Sequence, residues 1–288
     1  MPPSASAPPS NARLLLPRPS LASCVRASIA RSTVAAPLED PAERLNRFPA
    51  TPFCSLTWFI EGRSELVVPP PETVAPWCQA AVVGPQTQHT VSYNPGPVHV
   101  FILVLYPLAL HALCGIELAQ YVNTWKPLDE VLGPEWAAMS AAVLAAPDDD
   151  ARQSIIEDFL EPRWQAAQAD SGTDTGSMAA DWLRQLALQA ANAGWGKGVR
   201  NIERRIKAYA GQSMRSLRRL RRAEQTFLDV RDEVLQGRVS WAEVAARAGY
   251  ADQAHFCRET REVTGISPAE LARVGIEHES YWLYRIWS

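Results

Sequence analysis

Ser240–Arg273 reads SWAEVAARAGYADQAHFCRETREVTGISPAELAR and divides into three short helices. Ser240 and Glu243 have the S-x-x-E spacing of a capping box, in which hydroxyl and carboxylate satisfy free backbone N–H groups, so a helix starts near Trp241. Trp241, Val244, Ala245 and Ala248 give it an apolar face, and Gly249 stops it. Asp252 caps a second helix that runs to about Val263 and ends at Gly265. Ser267-Pro268-Ala269-Glu270 opens a third, with proline at its first position and a second capping box. Helix, tight glycine-containing turn, helix is the helix-turn-helix unit. The spacing buries Phe256 and Val263 and turns Gln253, His255, Arg258 and Arg261 outward. Arginine can bond bidentately to guanine, glutamine to adenine, and histidine can donate to base or phosphate. The same face also suits plain solvation, so a second observation is needed.

It lies upstream. Gly198–Arg222, GVRNIERRIKAYAGQSMRSLRRLRR, holds nine basic residues against the single acid Glu203. Ile202 and Ile206 share one helical face, which leaves Arg200, Asn201, Arg204, Arg205 and Lys207 on the rest of the surface. Gly211 ends that helix and Ser213 caps the next, whose apolar positions Leu217, Leu220, Phe227, Val230 and Val234 lead to Gly237. A positive face of this density supplies phosphate contacts and salt-dependent affinity.

The whole chain hides this. Its 288 residues carry a net charge of −3, which taken alone argues against a nucleic-acid binder. By segment, residues 1–194 hold 11 basic and 19 acidic residues, whereas residues 195–273 hold 16 and 10. An acidic half is joined to a basic half. Seventeen of the 23 prolines lie in residues 1–97, so the front should be strand and loop and the back helical.

The front reads as an antiparallel β barrel or sandwich with flanking helices. Residues 1–20 read as a flexible tail without the apolar stretch of a signal peptide. Cys54–Ile60 alternates with a period of two, and Glu65–Val68, Ala80–Val83 and Thr90–Tyr93 are further strands. Asn94-Pro95-Gly96-Pro97 turns the chain into a long strand from Val98 to Tyr106. Val98–Ala119 is long enough to span a membrane, but Pro107, His111 and Glu117 interrupt it, and strand followed by helix explains the run. Helices are expected over Trp136–Ala146 and Ala151–Leu160, and residues 170–178 compose a linker. The expected domains are therefore 21–169, β-rich with a helical extension, and 179–274, all helical, followed by an aromatic tail at 275–288.

Five scattered cysteines without a C-x-x-C pair fit a reducing compartment, and the five histidines show no metal-ligand spacing. No cofactor or metal is expected, and the protein reads as cytoplasmic. An aromatic lining of a front-half pocket could come from Trp58, Trp77, His89, His99 and Tyr106, although aromatics on strands usually serve the core. Two other readings stay open: a cupin-like metalloenzyme using His89, His99 and Glu61, and an adaptor whose basic helices hold an acidic partner.

Gly249-Tyr250-Ala251-Asp252-Gln253-Ala254-His255-Phe256, followed by Thr264-Gly265-Ile266-Ser267-Pro268, resembles the carboxy-terminal signature of AraC/XylS-type transcription regulators. Arg200–Arg205 with Gly211-Gln212-Ser213 resembles that family's first recognition helix. The likeness covers about a hundred residues, roughly Asp181 to Arg273. It implies two helix-turn-helix units joined by one long helix, here within Gly211–Gly237, that read successive major grooves. It also implies an amino-terminal domain that binds an effector, mediates dimerisation, or both. The partners so implied are double-stranded promoter DNA, RNA polymerase, a small-molecule effector and a second copy of the chain; no catalysis is implied. Met214 stands where the family commonly has proline. Glu259 and Thr260 stand near a usually apolar position, which implies a looser second recognition helix.

Overall fold

In the computed structural model, which describes residues 11–70, 77–171, 182–192 and 199–286, nine strands form two antiparallel sheets. They are β1 (Asn11–Leu15), β2 (Val25–Ser32), β3 (Leu45–Phe48), β4 (Cys54–Glu61), β5 (Glu65–Val68), β6 (Ala80–Val83), β7 (Thr90–Tyr93), β8 (His99–Leu105) and β9 (Trp125–Pro127). The larger sheet runs β1-β2-β8-β4-β6-β9 and the smaller β3-β7-β5. The β-branched and aromatic run of β8 lies at the centre, with Phe101 opposite Ala30 on β2 and Trp58 on β4.

The larger sheet is covered on both faces. Cys54, Leu56 and Trp58 point, with Phe101 and Leu103, into a core closed by α1 (Pro107–Cys114), α2 (Leu128–Val131), α3 (Pro134–Ala145) and α4 (Asp149–Ser171). There the Trp58 indole donates to Ser140 on α3 at 2.8 Å. Thr57 and Phe59, on the opposite face of β4, are buried as well, so the expected one-sided alternation is absent. The stretch read as a tail becomes strand at Asn11, whose pairing with Ser32 places β1 at the sheet edge. The linker expected at 170–178 begins inside α4, which extends to Ser171, and otherwise lies outside the described residues.

The carboxy-terminal part is helical: α5 (Trp182–Asn192), α6 (Val199–Ala210), α7 (Met214–Leu235), α8 (Trp241–Arg247), α9 (Gln253–Thr264), α10 (Pro268–Glu277) and α11 (Trp282–Ile286). Leu186, Ala190, Ile206 and Ala210 belong to the same apolar cluster as the strands, so α5 and α6 pack onto the β domain. Gly211 turns the chain there with φ +70°, and a Cβ on it would lie 2.7 Å from Val122 and 3.0 Å from the Leu118 carbonyl. No helix among the described residues is long and apolar enough to cross a membrane; Val98–Ala119 divides between β8, α1 and a turn.

Of the segment expected as an aromatic tail, the described residues 275–286 are packed in α10, a short turn and α11. Trp282 is 1% exposed, donates to Asn46 on β3 at 3.0 Å and meets Phe48 edge-on, while Tyr284 packs against Phe227 on α7. The segment therefore ties the last helices to the β domain.

Candidate nucleic-acid interface

α9 and α10 both start at a side-chain cap. The Asp252 carboxylate accepts from the His255 backbone N–H at 2.6 Å and Ser267 from that of Glu270 at 3.3 Å. Gly265 closes α9 with φ +85°. Ser213 caps α7 by accepting from Ser216, so a cap replaces the proline common in the resembling family. Ser240 makes no side-chain cap; α8 is held by Val244 and Ala245, packed with Val230, Tyr250 and Phe256. A short helix with this much apolar contact forms without the box.

The two recognition helices present their expected residues unequally. On α9, Gln253, Arg258 and Arg261 are exposed, whereas His255 is half-buried, edge-on to Tyr250. On α6, Arg200, Arg204 and Lys207 are exposed, while Asn201 and Arg205 are half-buried. Arg204 donates to the Asn201 side chain at 2.7 Å, an i, i+3 contact that fixes both. The inner faces are Ile206 and Ala210 on α6 and Phe256, Glu259, Thr260 and Val263 on α9.

The arginines of 200–222 divide between two tasks. Arg215 and Arg218 are exposed on α7, but Arg219 pairs with Glu262 and Arg222 with Glu259, both on α9. Burial, the largest single influence, lowers the Arg222 guanidinium, but hydrogen bonding and charge from Glu259, with a smaller part from Tyr250, together outweigh it and raise the group above its ordinary value. The polar Glu259 therefore does not loosen α9, because a cation meets it.

Residues 195–273 match the family model described as a helix-turn-helix domain. This segment is the AraC-type helix-turn-helix domain of a DNA-binding transcription regulator. No curated protein matches the chain. Among solved structures it is similar to ToxT from Vibrio cholerae O395, at 9% identity and TM-score 0.37, over 80% of this chain and 96% of that one. A second form of that protein, bound to (E)-4-(8-methylnaphthalen-1-yl)but-3-enoic acid, matches at 9% identity and TM-score 0.38, over 80% and 97%. Unsaturated-fatty-acid-bound ToxT from Vibrio cholerae strain SCE256 matches at 10% identity and TM-score 0.34, over 80% and 93%.

The helix-turn-helix domain is bonded to the β domain at several points. Ala50 N–H donates to the Val263 carbonyl at the end of α9 at 2.8 Å, and Arg26 pairs with Glu224 on α7. The His89 ring lies 2.9 Å from where a Cβ on Gly265 would sit. Between the two lies a cavity of about 470 Å³, lined by Ile29, Phe59, Val100 and Ile102 from the larger sheet, Leu220 and Phe227 from α7, and Trp282.

The pocket residues expected from sequence are elsewhere. Trp58 serves the helix-covered core and Trp77 is 52% exposed. His89 abuts Gly265, His99 pairs with Asp149, and Tyr106 packs on Phe53 and Trp182. Of the five, only Trp58 and His99 lie on strands, and alternation along β4 and β8 does not show which face of the sheet meets α7. The metal reading also lacks its cluster: no group of three or more candidate ligands, with His89, His99 and Glu61 or otherwise, occurs among the described residues.

Proposed function

We propose that this regulator reads promoter DNA with Arg200, Asn201, Arg204, Arg205 and Lys207 on α6 and with Gln253, His255, Arg258 and Arg261 on α9. An effector in the interdomain cavity governs that reading. The observation that carries it is the pair of helix-turn-helix units joined by α7, each turning basic side chains to solvent from a buried apolar base. Exposed arginines such as Arg258 suit base edges, and Lys207, a compact point charge, suits phosphate. The cavity is overwhelmingly apolar and within the size range of small-molecule sites, so its occupant is an apolar small molecule. Because α7, α9 and the carboxy-terminal segment share its wall with the sheet, filling it acts on the DNA-binding elements directly. The work is recognition rather than catalysis, and it takes place in the cytoplasm, with RNA polymerase and a second copy of the chain as further partners. Genome-wide footprinting of the tagged protein tests the reading: discrete sites containing two half-sites one helical turn apart support it, and uniform coverage overturns it.

A further inference from the structure

We propose that Arg222 is a positioning residue for DNA reading: with Glu259 it forms a strut that fixes the roll of α9 on α7. This rests on the reading of α9 as a recognition helix. Glu259 is 6% exposed and lies on the inner face of α9 with Phe256, Thr260 and Val263. Arg222 crosses from α7 and holds the carboxylate with three bonds: Nη2 donates to Oε2 at 2.7 Å and to Oε1 at 2.8 Å, and Nε donates to Oε1 at 3.2 Å. The same guanidinium stacks over the Tyr250 ring at 4.2 Å, in the turn before α9, and Tyr250 packs on Phe256. One side chain thus touches the joining helix, the turn and the recognition helix.

Apolar contacts alone would hold α9 against α7 but let it roll, because they have no direction. A buried carboxylate does not tolerate losing its cation, and a guanidinium fork accepts a narrow range of angles. Roll matters because Arg258 adjoins Glu259 in sequence and leaves the helix about 100° around its axis from it, exposed to solvent. With a helix radius of about 5–6 Å including side chains, a roll of 20° moves an outward group by about 2 Å, enough to break a bidentate bond to a base. The Arg219–Glu262 pair lies one turn on but is exposed, Glu262 by 61%, and so adds little constraint.

The competing role for Arg222 is that of one more phosphate-contacting base of the 200–222 run, and the two roles give opposite signs. Fluorescence anisotropy of the full chain, on a footprinted duplex and on a scrambled one across a salt series, separates them. As a strut, Arg222→Lys and Glu259→Gln each lower the ratio of specific to scrambled affinity by roughly tenfold, the scale of one base contact, and leave the salt slope unchanged. The double variant Arg222→Met/Glu259→Met then loses no more than the worse single one, because both act through the same contact. As a phosphate contact, Arg222→Lys retains binding, Arg222→Met lowers the salt slope by about one on both duplexes, and Glu259→Gln tightens both; any of these overturns the strut. The near-isosteric Lys and Gln variants are checked by near-ultraviolet circular dichroism, and if one does not fold the other decides. Arg258→Ala is the control. If it lowers the ratio while Arg222→Lys and Glu259→Gln do not, the strut fails and the reading of α9 stands; if it too changes nothing, both fail.

Discussion

Arg31 on β2 and Glu279 beyond α10 form a 3.1 Å ion pair across 248 residues of chain, with Arg31 1% exposed. Burial holds the Arg31 guanidinium below its ordinary value, and Glu279 works against that. Asn46 accepts a second bond from Arg31 at 2.7 Å, and Arg285 also pairs with Glu279. Removing the carboxylate leaves a buried cation uncompensated, so Glu279→Ala is expected to cost about 3–5 kcal/mol. Replacing both partners with apolar residues of similar size, as in Arg31→Met/Glu279→Met, should recover most of that loss. Urea denaturation measures both, and equal losses in the single and double variants would refute the account.

The two kinds of DNA contact should separate by salt. Arg258 is exposed on α9, and Arg258→Ala is expected to weaken binding to a specific site by about 1–3 kcal/mol and to relax sequence choice. Lys207 is exposed on α6, and Lys207→Ala should weaken binding to every duplex alike and reduce the salt slope by about one. Anisotropy titrations at several salt concentrations read both effects. Equal loss on specific and random duplex would place Arg258 on phosphate.

What the residues disclosed follows from how local each signal is. Caps, glycine stops and i, i+4 apolar pairs are read within one turn, so α7, α9 and α10 fall where Ser213, Asp252 and Ser267 put them. The strands β4 to β8 were equally legible because turns bound them. β1 (NARLL) and β3 (LNRF) show no sustained period-two alternation by which to announce themselves and exist through their partners β2 and β7. Arg222 illustrates the remaining gap. In sequence it is one more arginine in a basic run, and only the meeting of α7 with α9 shows that it faces Glu259. The cavity is hidden for the same reason, since its walls come from segments as distant as Ile29 and Trp282.

The cavity makes a prediction about ligand linkage. An apolar molecule that fills it binds the folded state alone, so at about 100 times its Kd it should stabilise the chain by about 2.7 kcal/mol. Ile102, whose side chain faces the cavity, is the position to block. Ile102→Trp should abolish the thermal shift and fluorescence gain produced by the neutral apolar fluorophore N-phenyl-1-naphthylamine. Unchanged binding of the fluorophore to that variant would place its site elsewhere.

Asp149 sets part of the acid limb of stability. Its carboxylate, at the start of α4, meets His99 of β8 at 3.0 Å and Arg152 at 3.0 Å, and Arg152 also donates to the Ala146 carbonyl at 2.7 Å. Burial pushes the Asp149 carboxyl up, but hydrogen bonding and charge from His99 and Arg152 outweigh it and hold the group below its ordinary value. A carboxylate depressed in the folded state contributes stability that is complete above its unfolded pKa, about 3.9, and is lost as pH falls through the lower folded value. Asp149→Asn removes the charge and with it this contribution. The variant should therefore be less stable than the parent at about pH 7, and the difference should narrow steadily below about pH 4. Urea midpoints of both proteins at a series of pH values measure that difference, and one that stays constant or widens on acidification would assign the acid limb to other groups.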